Sequence, residues 1–298
     1  MQRNLIRPGI AVVVFCAIAA SASALDIGFD AWAGNLGFKT DRVSTDTTYP
    51  GADYFWGGNV FVGQSIADSM RFEGGFFIDP ILRNVTYGLL GYTEKSLTIG
   101  VGPFMGVFNN ADMPLKSGIS ILLKIELPGI LFASLKSENT MGGELQQNGD
   151  YLLERNDIIF GFYIKNAICS LGMNTKKFTQ LLETVRVVDS LTTYSLHTDI
   201  FQKNVPYRLG ILLSYESLVK SYATGVSTER NILNSFVVGL RLDLVFSDSF
   251  LLYSNLDSNL LSFGQGQLAG GTTDAFLFRA STGFRLNLDS LIGATTVF

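Results

Sequence analysis

From Phe236 to Phe246 the chain alternates strictly. Phe236, Val238, Leu240, Leu242, Leu244 and Phe246 hold one set of positions, and Gly239, Arg241 and Asp243 fall in the other. Strand side chains point to opposite faces with a period of two, so this stretch predicts a strand with one apolar face and one that carries ions. Leu25, Ile27, Phe29 and Ala31 alternate in the same way with Asp26, Gly28 and Asp30. Met70, Phe72, Gly74, Phe76 and Ile78 repeat the pattern against Arg71, Glu73, Gly75, Phe77 and Asp79. Further strands are predicted near Tyr54 to Val62, Asn84 to Tyr92, Leu97 to Phe108, Ile119 to Glu126 and Ile130 to Ser137. They continue at Tyr151 to Lys165, Ile168 to Phe178, Val187 to Phe201, Tyr207 to Lys220, Ile232 to Phe246, Phe250 to Phe263 and Thr273 to Leu288. Pro103 is expected to mark a bulge. Thr179 to Arg186 is expected to be a loop, although Leu181, Leu182 and Val185 have the spacing of a short amphipathic helical turn.

The pattern recurs about a dozen times with little helix between, which favours an all-β antiparallel transmembrane β-barrel with its apolar side turned outward to lipid. About 14 strands result, within a range of 12 to 16. The connections carry their own signal. Long polar ones near residues 39, 109, 138, 222 and 264 alternate with short ones near 65, 93, 127, 166, 203 and 247. A sandwich has no reason to alternate so regularly.

The amino terminus reads differently. Arg3 and Arg7 precede an apolar run from Ile10 to Ala20, and Ala22, Ser23 and Ala24 are small. That is the pattern of a cleavable export signal over 1–24, too short to span a bilayer, and it leaves 25–298 as a single barrel domain. Val14 and Phe15 before Cys16 do not fit acylation there. The first strand begins so early that no amino-terminal plug is expected.

The whole chain is 47% hydrophobic and 16% charged, yet the mature part holds no apolar run of 18 residues. Of the 22 basic residues, removal of Arg3 and Arg7 leaves 20 against 26 acidic ones, a formal charge of −6. Nucleic acid, which calls for a basic stripe, is not indicated. Cys169 alone remains after cleavage, so no disulfide framework is available.

If the apolar faces meet lipid, the opposite faces line the interior. That row comprises Asp26, Asp30, Arg71, Glu73, Lys124, Glu126, Lys136, His197, Asp199, Arg208, Glu216, Arg241, Asp243, Asp257, Arg279 and Arg285. Mixed charge along a water-filled wall predicts weak ion selectivity. The alternative is that these groups pair across strands and fill a closed lumen. Ser195, His197 and Asp199 share one strand face, the residue types of an acyl-transfer relay, but positions two apart are nearly 7 Å apart at the backbone, and an ordinary polar lining is favoured. One His and one Cys cannot assemble a His- or Cys-rich metal site. The carboxylates of Asp150 to Asp157 lack the spacing of a calcium loop. Gly264 to Ala269 matches a dinucleotide fingerprint only on paper, because loop rather than helix follows it. Tyr54, Trp56, Tyr87, Tyr92, Tyr207, Tyr215 and Tyr253 suit interfacial girdles.

The chain ends at Phe298 after Ile292, Ala294 and Thr296 at alternate positions. This resembles the closing-strand signal of bacterial outer-membrane β-barrel proteins, with Thr296 and Ala294 less apolar than that pattern. Asp289 and Ser290 also set off the last eight residues as a separate short strand. The resemblance implies an outer-membrane location and reading of Phe298 by the barrel-assembly machinery. It also implies a passive, porin-like channel for small hydrophilic solutes without enzymatic activity, cofactor or metal. Its partners would be outer-membrane lipid and small solutes, with a homo-oligomer possible. The alternatives are a hydrophobic-substrate channel of the fatty-acid type, a closed barrel serving as structural anchor or surface adhesin, or a soluble secreted sandwich. Outer-membrane phospholipases, which use serine and histidine at the lipid boundary, are the enzyme counterpart.

Overall fold

The computed structural model describes residues 25–38, 50–106, 115–142, 145, 147–201, 205–268 and 276–288. Fourteen strands follow in chain order: β1 (Leu25–Gly34), β2 (Phe55–Ala67), β3 (Met70–Asp79), β4 (Arg83–Glu94), β5 (Leu97–Gly106), β6 (Lys116–Leu127) and β7 (Leu131–Thr140). They continue with β8 (Tyr151–Ile164), β9 (Ala167–Leu182), β10 (Val185–Phe201), β11 (Tyr207–Ala223), β12 (Thr228–Ser247), β13 (Phe250–Gln265) and β14 (Phe278–Asn287). Each strand pairs antiparallel with its chain neighbours, and β14 closes on β1 to complete a barrel. No helix of the described residues is long and apolar enough to cross a membrane.

The barrel closes through Phe278–Asn287, so closure does not need the last residues. The signal segment 1–24, the predicted terminal strand and Phe298 lie outside the described residues. Thr179 to Arg186 is not a loop. β9 runs to Leu182 and β10 starts at Val185, with a turn whose Glu183 adopts φ 54°. A non-glycine residue in the left-handed region gives no compositional warning of such a turn. The expected long connection near 222 shrinks to 224–227, because β12 begins at Thr228. Pro103 marks no bulge: the register with β4 is the same on both sides of it, and only the pairings of Gly88 with Pro103 and of Leu89 with Gly102 are missing. Bulges fall instead between Ser65 and Ala67, Phe236 and Val237, and Val245 and Ser247.

One edge of the barrel carries the turns 68–69, 95–96, 128–130, 165–166, 202–206 and 248–249. From the other leave the longer connections, after β1, β5, β7 and β13, together with the turns 80–82, 183–184 and 224–227. The outer face dates the membrane boundary. Leu135, Ile158, Met173, Tyr194, Tyr215 and Phe236 form one register row across six strands. Two residues nearer the long-connection edge the row becomes Ser137, Asn156, Thr175, Thr192, Ser217 and Asn234. An apolar belt therefore ends in a partly aromatic rim and gives way to polar side chains, while Leu171, Leu196, Ile211 and Leu240 below it are exposed.

The inner wall uses a recurring device. Rings on one strand lie against glycines on the next: a Cβ at Gly28 would come within 2.1 Å of the Phe61 ring, one at Gly161 within 2.2 Å of Phe132, and one at Gly75 within 2.7 Å of Tyr87. Only glycine leaves room for that approach. Tyr87, expected in a girdle, is one of these buried inner rings, and Tyr253 is another inward ring.

Candidate functional site: the barrel interior

Residues paired across strands share a face, so the register sorts every predicted site residue. Asp30, Arg71, Glu73, Lys124, Glu126, Lys136, His197, Asp199, Arg208, Glu216, Arg241, Asp243, Asp257, Arg279 and Arg285 all lie on the inner parity. With further inner charges that the sequence reading did not single out, the interior falls into three groups.

The first is a filled side on β3 to β8. Glu138, fully buried, accepts from Ser120 Oγ at 3.2 Å and faces Lys136 Nζ at 2.9 Å and Arg155 Nη1 at 3.5 Å. Arg155 also donates through Nε to Asp157 at 2.9 Å. Both cations lie over rings, Lys136 4.2 Å from the Tyr87 centroid and Arg155 5.3 Å from that of Phe77. Tyr87 donates to Glu73 at 3.2 Å. Phe77, Ile81, Leu82, Val85, Phe104, Tyr151, Leu153 and Phe178 pack around these groups.

The second group is the tip of the β3–β4 hairpin, which reaches across the interior. Asp79 Oδ1 accepts the amides of Ile81 at 2.8 Å and Leu82 at 3.0 Å, and so stabilises the turn. Its other oxygen pairs with Lys176 of β9. Arg83 reaches Asp189 of β10 at 3.5 Å, and Lys220 of β11 faces the same carboxylate at 3.2 Å. The tip thus spans from one wall to another and narrows the lumen. A second apolar cluster, Phe38, Leu233, Leu268 and Leu277, sits at the same edge.

The third group lines open space. A cavity of about 800 Å³ runs along β8 to β14 and β1, bounded by the hairpin tip. Its charged lining comprises Asp30, Asp79, Asp189, Glu216 and Asp257 against Arg83, Arg155, Lys176, Lys220 and Arg279, five of each sign. Arg279 Nη2 bridges Glu216 at 3.0 Å and Asp257 at 2.9 Å. Towards the short-turn edge the pairs are more accessible: Arg71 with Asp26, Lys124 with Glu126, Arg241 with Asp243 at 2.6 Å, and His197 with Asp199 at 3.2 Å.

His197 Nε2 is thus turned to Asp199, and Ser195 makes no hydrogen bond to it. The relay that nucleophilic catalysis requires is not assembled. Asp150 and Asp157 are held by Lys116 and Arg155, and the described residues hold no cluster of three metal-ligating side chains. After Gly264 the described residues form the 3₁₀ turn Gly266–Leu268, and 269–275 lie outside them.

Several central residues escaped the sequence reading. Asp189 and Lys220 share the parity of His197 and Glu216, and Glu138 that of Lys136, so extending the alternation by a few residues finds them. Nothing in the sequence announces that Asp79 and Arg83 cross the interior.

A closed antiparallel barrel with an apolar outer belt and an ionised interior is a transmembrane β-barrel. No family model matches the chain, and no curated relative does. Among solved structures, a bacterial polysaccharide outer-membrane secretin is 8% identical, with TM-score 0.48 over 88% of this chain and 97% of that one. An outer-membrane channel from Pseudomonas putida is 10% identical, with TM-score 0.43 over 89% and 95%. An anion-selective porin from Comamonas acidovorans is 11% identical, with TM-score 0.39 over 90% and 99%.

Proposed function

We propose that the protein is an outer-membrane channel through which small hydrophilic solutes diffuse passively, without chemistry on the solute. The observation that carries this reading is the cavity of about 800 Å³ inside the barrel, lined by five carboxylates and five cations. Ionised groups that face water inside a membrane protein mark a solute path rather than a core. Export through the 1–24 signal, recognition of Phe298 by the assembly machinery and lipid contact along the outer belt belong to the same reading, which also accommodates a homo-oligomer.

The test is single-channel recording of the refolded barrel in a planar bilayer, after its gel mobility has been shown to shift on heating. Small stepwise currents with weak ion preference are expected, small because the hairpin tip narrows the lumen and weak because the lining charges balance. A folded but silent barrel would overturn the channel. It would favour the closed-barrel reading, for which the two apolar clusters at the long-connection edge speak.

A further inference from the structure

The open wall holds an arrangement that passive diffusion of ions does not need. Trp32 lies at its β1 end, half-buried, with its ring against β2. A Cβ at Gly57 would come within 2.6 Å of indole Nε1 and 2.7 Å of Cε2. The indole is therefore seated against bare backbone of β2, and Trp32 is one of the residues that line the cavity. Tyr253 is seated in the same way, 2.5 Å from a Cβ at Gly283.

The register sets polar groups around Trp32. Along its own row come Ser281 and then Asn255, whose amide donates to Ser281 Oγ at 2.9 Å. Two residues towards the short turns stands Asp30, which accepts from Asn59 at 3.3 Å. Two residues the other way, opposite Gly34, stands Arg279 with Asp257. Elsewhere in the cavity lining Ser214 is only 7% exposed, and its hydroxyl has no hydrogen-bond partner.

These features select a ligand by exclusion. An ion meets a lining of balanced charge, which does not repay its desolvation. An apolar molecule would strand the ionised and amide groups without water or partner. The complement of a flat ring edged by paired donors and acceptors is a solute with apolar ring faces and hydroxyls around its rim. A volume of about 800 Å³ lies in the range of small-molecule sites and holds more than one sugar ring. We propose that the Trp32 wall, with Asp30, Asn255 and Ser281, is a binding site for an uncharged saccharide of two or three units. The proposal rests on the channel reading for access of the solute.

The chain has two tryptophans, Trp32 and Trp56. In a Trp56→Phe barrel held in detergent, Trp32 emission reports the site alone. Titration with maltotriose is expected to shift that emission saturably, with a dissociation constant on the order of 1 mM. Asn255→Leu in the same background is expected to weaken binding about tenfold, and Ser281→Ala serves if that variant loses its heat-dependent mobility shift. An emission indifferent to maltotriose, or one that answers to adenosine or glycylglycine instead, would overturn the saccharide site. A barrel that conducts while Trp32 ignores maltotriose loses the site and keeps the channel. One that binds maltotriose but never conducts keeps the site and loses the channel.

Discussion

The two sides of the interior are built from the same parts and end differently. Both use ion pairs between neighbouring inner positions and rings seated on glycines. On the β4 to β8 side large inner side chains fill the space: Val85, Phe104, Tyr151 and Leu153 are all completely buried. On the β9 to β14 side small polar side chains, Asn174, Ser195, Ser214, Ser235, Asn255 and Ser281, line the cavity beside Leu191, Leu212 and Leu218. The volume of the inner side chains, not the strand count, decides where the lumen stays open. A 14-strand barrel is wide enough for either outcome, and this chain takes one on each side.

If that is right, charge removal on the filled side acts on stability and not on current. Glu138→Ala removes the fully buried carboxylate between Lys136 and Arg155, strands Lys136 and leaves Arg155 with Asp157 alone. A loss of about 3–5 kcal/mol is expected from breaking such a group on one side only. Equilibrium urea unfolding of the barrel in micelles would read it, with single-channel current unchanged in the molecules that remain folded. A change in current with stability intact would mean that the filled side also conducts, and the contrast would break.

The hairpin joins the two sides, and the next largest effect belongs there. Asp79→Ala takes away the acceptor for the Ile81 and Leu82 amides and the partner of Lys176. About 2–3 kcal/mol of stability should go with the charge-assisted contacts. The tip, no longer tied to β9, should swing from the lumen, so that single-channel current rises. Unchanged current would show that the tip does not limit the path.

The alternation made the barrel legible from the sequence, because a period of two with one apolar face recurs about a dozen times with little helix between and with long and short connections in turn. It placed Arg241 and Asp243, or Lys124 and Glu126, on one inner face without any knowledge of their partners. It did not show which inner groups meet across the lumen. Asp79 and Lys176 are 97 residues apart, and their pairing follows from a hairpin tip that bends inward instead of continuing the wall. The turn at Glu183 was equally hidden, since it places an ordinary residue at positive φ where glycine would have been read as a signal. The seating of Trp32 on Gly57 and of Phe61 on Gly28 depends on register between strands, which alternation within one strand does not specify.

The smallest effect lies at the short-turn mouth. Glu126 pairs with Lys124 two residues away and accepts from Tyr163 at 3.1 Å, but its side chain is 39% exposed and that of Lys124 43%. Glu126→Gln should therefore cost less than about 1 kcal/mol, because an exposed pair gains little over its hydrated partners. The charge still stands where an entering ion passes, so its removal should tilt the channel slightly towards anions. At this exposure the tilt is a field effect through water. It should be measurable at about 0.1 M salt, where the screening length is about 10 Å, and should vanish at about 1 M, where it is about 3 Å. Reversal potentials at the two salt concentrations check this directly. A tilt that survives high salt would place Glu126 in a dry constriction, and the narrowest part of the path would then lie at the short-turn mouth instead of at the hairpin tip.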